Sequence, residues 1–135
     1  MRLRLSTVAA GIVCSVLAVP VTAHHAIEDQ YDLTRTVTLT GTVSRVEWVN
    51  PHTQLYLDIT RGDGTTLTWS IELGPPNALR RSGLDFSALK QGDRVVIDVW
   101  PAKDGSQSAS VRAITLPDGR VFSSGPSMWT RQSNR

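Results

Sequence analysis

Apolar and polar residues alternate strictly along two neighbouring stretches in the middle of the chain. The first stretch places Leu55, Leu57 and Ile59 on one face, and the second resumes the alternation after a Gly-Asp-Gly turn at 62–64. Its apolar members are Leu67, Trp69, Ile71 and Leu73. Period-two spacing around a glycine-rich turn is typical of an antiparallel hairpin. Closing the turn near residue 63 pairs Ile59 with Leu67, Leu57 with Trp69 and Leu55 with Ile71, which makes one face of the hairpin apolar throughout.

Further elements are predicted on both sides of this hairpin. They are a strand over 36–49, a helix over 77–81, strands over 94–100 and about 108–116, and a last turn at 117–119 towards Val121-Phe122. The first strand changes its apolar parity after Gly41, which indicates a bulge or sharp coil that lets a sheet curl. Asn50-Pro51 then turns the chain into the hairpin. Pro75-Pro76 and Gly83 are typical of the start and the end of a short helix.

Three strands, a helix and two strands are the element order of an OB-type barrel. We therefore predict an all-β domain with one short helix, folded as a five-stranded OB-like Greek-key barrel over 36–122. A flexible lead over 24–35 would precede it, and a loose polar tail over 123–135 would follow. An open meander is the alternative, but it would leave sheet edges unprotected.

The first 23 residues have the composition of a cleaved export signal. Arg2 and Arg4 precede an apolar run, and Val21-Thr22-Ala23 supplies small residues for cleavage after Ala23. The apolar run is shorter than the roughly 20 residues that span a bilayer, so we expect release without a stable membrane anchor. The predicted location is the bacterial periplasm or the extracellular space.

Removing this signal changes the charge and the cysteine content. The whole chain has 14 Lys and Arg against 12 Asp and Glu, and the loss of Arg2 and Arg4 equalises the two signs. A near-neutral mature chain lacks the basic surface that nucleic-acid binding needs, so we exclude that class of partner. Cys14 is the only cysteine and leaves with the signal, so the mature fold has no disulfide.

Several short motifs together match one family of proteins. They are His24-His25, Gly41-Thr42-Val43, the stretch Val46 to His52, Trp69, Glu72, Asn77 to Arg81, Gly92-Asp93 and Pro101 to Gly105. In these the chain resembles a group of small exported bacterial proteins known only as a domain of unknown function. The Glu-Trp-x-Asn-Pro-His stretch is the most specific part. The resemblance implies export and similar domain boundaries, and it supplies no activity, cofactor or catalytic residue.

All three histidines lie at places where a metal site could form. After cleavage, His24 would carry a free α-amine beside its imidazole, and His25 would stand next to it. In the hairpin register Glu72 lies opposite Gln54, which brings His52 one diagonal step from Glu72. Glu47, on the neighbouring strand, can share that outer face. Imidazole, amine and carboxylate ligands suit Cu(II), Zn(II) or Ni(II), and of these we predict a copper or zinc site at His24, His25, His52, Glu72 and Glu47.

Simpler roles for the same residues remain open at this point. His24-His25 can be a polar, disordered start, His52 can pin the corner after Pro51, and the two glutamates can be solvated strand residues. Trp48 and Trp100 can pack the barrel or form a platform for a small ligand or partner.

Signatures of catalysis are weak. The mature chain has no cysteine nucleophile, no Gly-x-Ser-x-Gly elbow and no phosphate-binding glycine loop, so we do not predict an enzyme. Two hypotheses follow. One is a metal-binding protein, and the other is a metal-independent module that docks on an exported protein or enzyme, or on a small ligand.

Overall fold

The chain folds around one closed barrel with two additional strands. In this computed structural model the backbone is described for residues 23–124 and 129–132, and side chains for 27–124. The elements, in chain order, are α1 (Ala23–Gln30), β1 (Val37–Glu47), β2 (Gln54–Thr60), β3 (Thr66–Glu72), α2 (Pro76–Ser82), β4 (Arg94–Pro101), β5 (Ser108–Thr115), β6 (Val121–Ser124) and β7 (Trp129–Gln132). The predicted signal lies, except for Ala23, outside the described residues.

The barrel consists of β1 to β5, and its closure confirms the predicted fold. The strands follow the order β3-β2-β1-β4-β5, and a parallel pairing of β3 with β5 closes the ring. With α2 between β3 and β4, this is the OB-like arrangement expected from the sequence. Closure removes the exposed edges that an open meander would have kept.

The hairpin register is confirmed pair by pair. Leu55 lies opposite Ile71, Leu57 opposite Trp69, and Ile59 opposite Leu67. Leu55, Leu57 and Ile71 are fully buried, whereas Trp69 is only partly buried and packs against the edge of the core.

The predicted irregularity in β1 is a bulge at Ser44. The pairing of β1 with β2 shifts register between Val43 and Arg45, and this shift explains the change of apolar parity. The earlier Gly41 has a different function. A β-carbon there would lie 2.5 Å from the carbonyl oxygen of Asp58, so only glycine lets the two strands approach this closely.

The segment predicted as a flexible lead contains a helix and a buried residue. Helix α1 leads directly into Tyr31, whose exposure is 6 %. The backbone amide of Asp32 donates to Pro101, and the amide of Lys103 donates to Gln30. These two bonds tie the lead to the end of β4. The segment predicted as a loose tail contains the end of β6 and, at 129–132, strand β7 paired antiparallel with β6.

Candidate functional site

The β2–β3 register brings an imidazole, a carboxylate and a phenol together on the outside of the barrel. Glu72 lies opposite Gln54, as predicted, and Nδ1 of His52 is 3.0 Å from Oε1 of Glu72. The hydroxyl of Tyr31 donates to Oε2 of the same carboxylate at 3.3 Å. We call these three residues the His52–Glu72–Tyr31 chain. The diagonal contact was predicted from the hairpin, and the tyrosine was not.

The exposed fraction of the side chain decreases from His52 through Glu72 to Tyr31. The His52 side chain is 45 % exposed and that of Glu72 is 24 % exposed, whereas Tyr31 is buried. Burial, followed by the neighbouring charge of Glu72, raises the pKa of the Tyr31 phenol above its usual value of 10.0. Tyr31 therefore stays protonated at neutral pH and can donate continuously to Glu72. Tyr31 thus holds one oxygen of the Glu72 carboxylate from the buried side, and the other oxygen faces His52 on the solvent-exposed side.

Glu47 lies on the same face but belongs to a neighbouring cluster. It is opposite Gln54, as the sequence indicated. Its carboxylate pairs with Arg45 at 3.3 Å and accepts a 3.4 Å hydrogen bond from Tyr56, and the Arg45 guanidinium stacks 4.0 Å from the Tyr56 ring centre. Glu47 would have to leave these partners before it could ligate an ion.

Within the described residues, no group of three or more histidine, cysteine, aspartate or glutamate side chains is placed to hold a metal ion. His52 and Glu72 supply two such groups. The backbone of His24 and His25 lies in the first turn of α1, while their side chains are outside the described set. The predicted site would take its other donors from His24 and His25, which the structure does not test.

Trp48 and Trp100, the two tryptophans considered as a ligand platform, lie near opposite ends of β1 and are therefore far apart. Val37, at the start of β1, pairs with Val99, so Trp100 lies beside that end, whereas Trp48 follows the other end of the strand. Trp100 is opposite Ser110, which in turn is opposite Glu72, so it shares the outer row of the His52–Glu72–Tyr31 chain. Trp48 packs against the core.

Trp48 also lines two shallow hollows together with Phe86, which was not among the predicted site residues. Phe86 lies in the connection between α2 and β4, where no periodic pattern indicates which face a side chain takes. An aromatic residue in a polar loop was the only signal that could have drawn attention to it.

Comparison with known proteins adds one finding. A family model described as a family of unknown function, DUF6152, matches residues 11–111. The chain belongs to DUF6152. The match confirms the resemblance seen in the motifs, and it includes Tyr31, His52 and Glu72 while ending before β6. No curated protein and no solved structure matches significantly.

The described residues contain no helix that is long and apolar enough to cross a membrane.

Proposed function

We propose that this DUF6152 protein is an exported, non-catalytic binding protein that holds a divalent copper or zinc ion between His52 and the mature amino terminus. The observation that supports this most is the 3.0 Å distance from Nδ1 of His52 to the Glu72 carboxylate. Histidines that bind metals commonly donate one ring N–H to a carboxylate and ligate through the other nitrogen. The arrangement at His52 leaves Nε2 for that purpose.

The mature terminus would supply the remaining nitrogen ligands. Cleavage after Ala23 would free the α-amine of His24, which can chelate together with its own imidazole, and His25 offers a substitute imidazole. Helix α1 joins this terminus to Tyr31, which follows His24 by two helical turns, or about 10 Å. Three nitrogen donors favour Cu(II) over Zn(II) in the usual order of affinities.

In this proposal Glu72 positions His52 and is not itself the ligand. Its two oxygens already face His52 and Tyr31, so the carboxylate would fix the orientation of the ring and direct Nε2 towards the ion. Glu47 stays with Arg45 and Tyr56. The site would thus comprise His24, His25 and His52, with Glu72 and Tyr31 behind them.

The decisive experiment is calorimetric titration with Cu(II) and Zn(II) of protein whose first residue is His24. His52→Ala should weaken binding by about tenfold or more, and one extra residue ahead of His24 should weaken it comparably, because each removes a ligand. Glu72→Gln should also weaken binding, by about 10-fold, through the loss of ring orientation. Glu47→Gln is the matched control and should leave affinity unchanged.

The pH dependence offers a second measurement. Amine and imidazole nitrogens must be unprotonated to bind, and an α-amine has an ordinary pKa of about 7.7–8.0, so affinity should fall steeply from neutral pH towards about pH 5. Binding weaker than about 1 mM, or binding indifferent to both the His52 change and the extra residue, would refute the proposal.

A further inference from the structure

One side of strand β3 is only partly paired. β3 pairs with β2 along its whole length, but on its other side the parallel pairing with β5 covers only Ser70, Ile71 and Glu72. The residues before Ser70, back to the turn at 62–64, have no partner strand on that side among the described residues. Thr65, Thr66 and Thr68 are accordingly exposed. We call residues 65–69 the free edge of β3.

The free edge presents backbone hydrogen-bonding groups to solvent. The amide of Ser70 donates to the carbonyl of Gln107 at 2.9 Å, so it points away from β2. Because backbone groups alternate in direction along a strand, the N–H and C=O groups of Thr66 and Thr68 point the same way. Within the described residues these groups have no backbone hydrogen bond on that side. They are therefore available to a further strand.

The sequence of the free edge contains none of the usual protection against pairing. Sheet edges are commonly protected by charged side chains, proline or a bulge. Residues 65–69 read Thr-Thr-Leu-Thr-Trp, with neither a charge nor a proline, and the pairing of β3 with β2 is regular throughout. The last strand of the same sheet, β7, by contrast includes Arg131. The free edge of β3 is thus suited to pairing.

The free edge is also complementary to itself. Leu67 is its central residue, and Thr66-Leu67-Thr68 reads the same in both directions. If two copies pair antiparallel with Leu67 opposite Leu67, Thr66 of each copy lies opposite Thr68 of the other, and both such pairs exchange their N–H and C=O bonds. This register keeps threonine facing threonine and leucine facing leucine, whereas a shift by one residue would mix the two faces. It uses the whole free edge and ends where β5 begins to pair.

We infer that two copies of this protein associate through the free edge of β3, antiparallel about Leu67, so that the two barrels share one continuous sheet. The contact is isologous, as two-fold symmetry requires. A foreign extended segment would gain the same backbone bonds, but the symmetry of the free edge about Leu67 is specific to a second copy. The inference uses none of the proposed metal ligands, so either proposal can fail without the other.

The expected dimer is weak. Five residues from each copy form a contact at the lower end of the size range of specific interfaces, below about 1,200 Å². We therefore expect a dissociation constant between about 1 µM and about 1 mM. Sedimentation velocity of the protein that begins at His24, in the presence of EDTA to exclude metal-bridged species, measures it. A protein that stays monomeric up to about 1 mM would overturn the inference.

Charged residues at Leu67 test the two-fold axis. Leu67 is partly buried but is not among the residues packed against the core, so a polar replacement should leave the barrel folded, as near-ultraviolet circular dichroism verifies. Leu67→Lys and Leu67→Glu should each weaken association by about tenfold or more, because like charges then meet at the axis. An equal mixture of the two variants should associate again, because opposite charges meet. Thr40→Lys, at an exposed position of β1, is the control and should leave association unchanged.

Hydrogen exchange followed by NMR locates the contact. The amides of Thr66 and Thr68 should exchange rapidly in dilute protein and more slowly as the dimer forms, whereas those of Leu67 and Trp69, which face β2, should be protected at every concentration. A dimer without this protection, or one indifferent to Leu67→Lys, would contradict the inference. So would an equal mixture of the two Leu67 variants that stays monomeric. Protection of Thr66 and Thr68 in the monomer would instead assign the free edge to another segment of the same chain.

Discussion

Replacing Gly41 by alanine should destabilise the barrel where β1 passes closest to β2. The added β-carbon would lie 2.5 Å from the carbonyl oxygen of Asp58, 2.9 Å from Cγ of Leu57 and 3.1 Å from Cγ1 of Ile59. The nearest of these atoms is backbone, and Leu57 is fully buried, so neither can rotate away. The two strands must separate locally.

The expected size follows from two opposing effects. Overpacking of this kind costs about 1–3 kcal/mol, while alanine restricts the unfolded chain and returns about 0.4–1 kcal/mol. We expect the free energy of unfolding to fall by about 1–2 kcal/mol, which lowers the melting temperature by about 4–8 °C per kcal/mol in a domain of this size.

Urea and thermal unfolding, followed by tryptophan fluorescence, measure both quantities. Gly62→Ala is the matched control, because no atom lies within 4 Å of a β-carbon there and the φ angle does not require glycine. It should be neutral or slightly stabilising. If Gly41→Ala behaves like Gly62→Ala, the close approach of the strands is not a constraint on this sequence.

Three further predictions address the core, the buried phenol and the acidic turns. Trp69→Ala should lower the free energy of unfolding by about 2–3 kcal/mol. This is below the roughly 3–5 kcal/mol typical of fully buried aromatic residues, because Trp69 is only partly buried. A change near zero in urea unfolding would contradict the packing of Trp69 against the core. The raised pKa of Tyr31 means that the stability linked to this phenol is complete below pH 10.0 and is lost as the pH rises through the higher folded value. Tyr31→Phe should therefore remove an ionisation step above pH 10.0 from a spectrophotometric titration of the phenols, and loss of a step at or below pH 10.0 would argue against the burial of Tyr31 and its contact with Glu72. Hydrogen bonds from Thr65 lower the pKa of Asp63 in the folded protein below its ordinary value of 3.8. The contribution of Asp63 to the free energy of unfolding is therefore present above pH 3.8 and is lost as the pH falls through the lower folded value. Asp63→Asn should reduce the loss of stability between about pH 5 and about pH 2, measured by urea unfolding at each pH.

The barrel could be predicted because its strands are half-buried. Alternation fixes which face each residue takes, and the turn at 62–64 fixes the partner, so Leu57 opposite Trp69 followed without any long-range information. The change of parity in β1 revealed the bulge for the same reason, although its position at Ser44 depends on β2 and could not be read from β1 alone. Closure through β3 and β5 was predicted only from the order of elements.

The site was predictable only as far as the register extends. His52 beside Glu72 follows from counting along the hairpin, and their distance agrees with it. Tyr31 is separated from Glu72 by 41 positions and lies outside any strand pattern, so nothing local indicates that it is buried. The exposure of Phe86 depends on the burial of Leu84 and Leu89, a consequence of tertiary packing that the loop sequence does not show.

Tyr31 connects the parts of the molecule on which the metal proposal depends. Its backbone neighbours attach the lead to β4, and its hydroxyl holds the carboxylate that faces His52. The amino-terminal histidines and His52 are therefore linked through one buried residue, although the former precede β1 in the sequence and the latter follows it. An ion bound between them would restrain a segment that the barrel already anchors, so little additional chain would have to be ordered on binding. A defect in Tyr31→Phe that spares every nitrogen ligand would thus report on positioning, whereas a defect in His52→Ala reports on ligation.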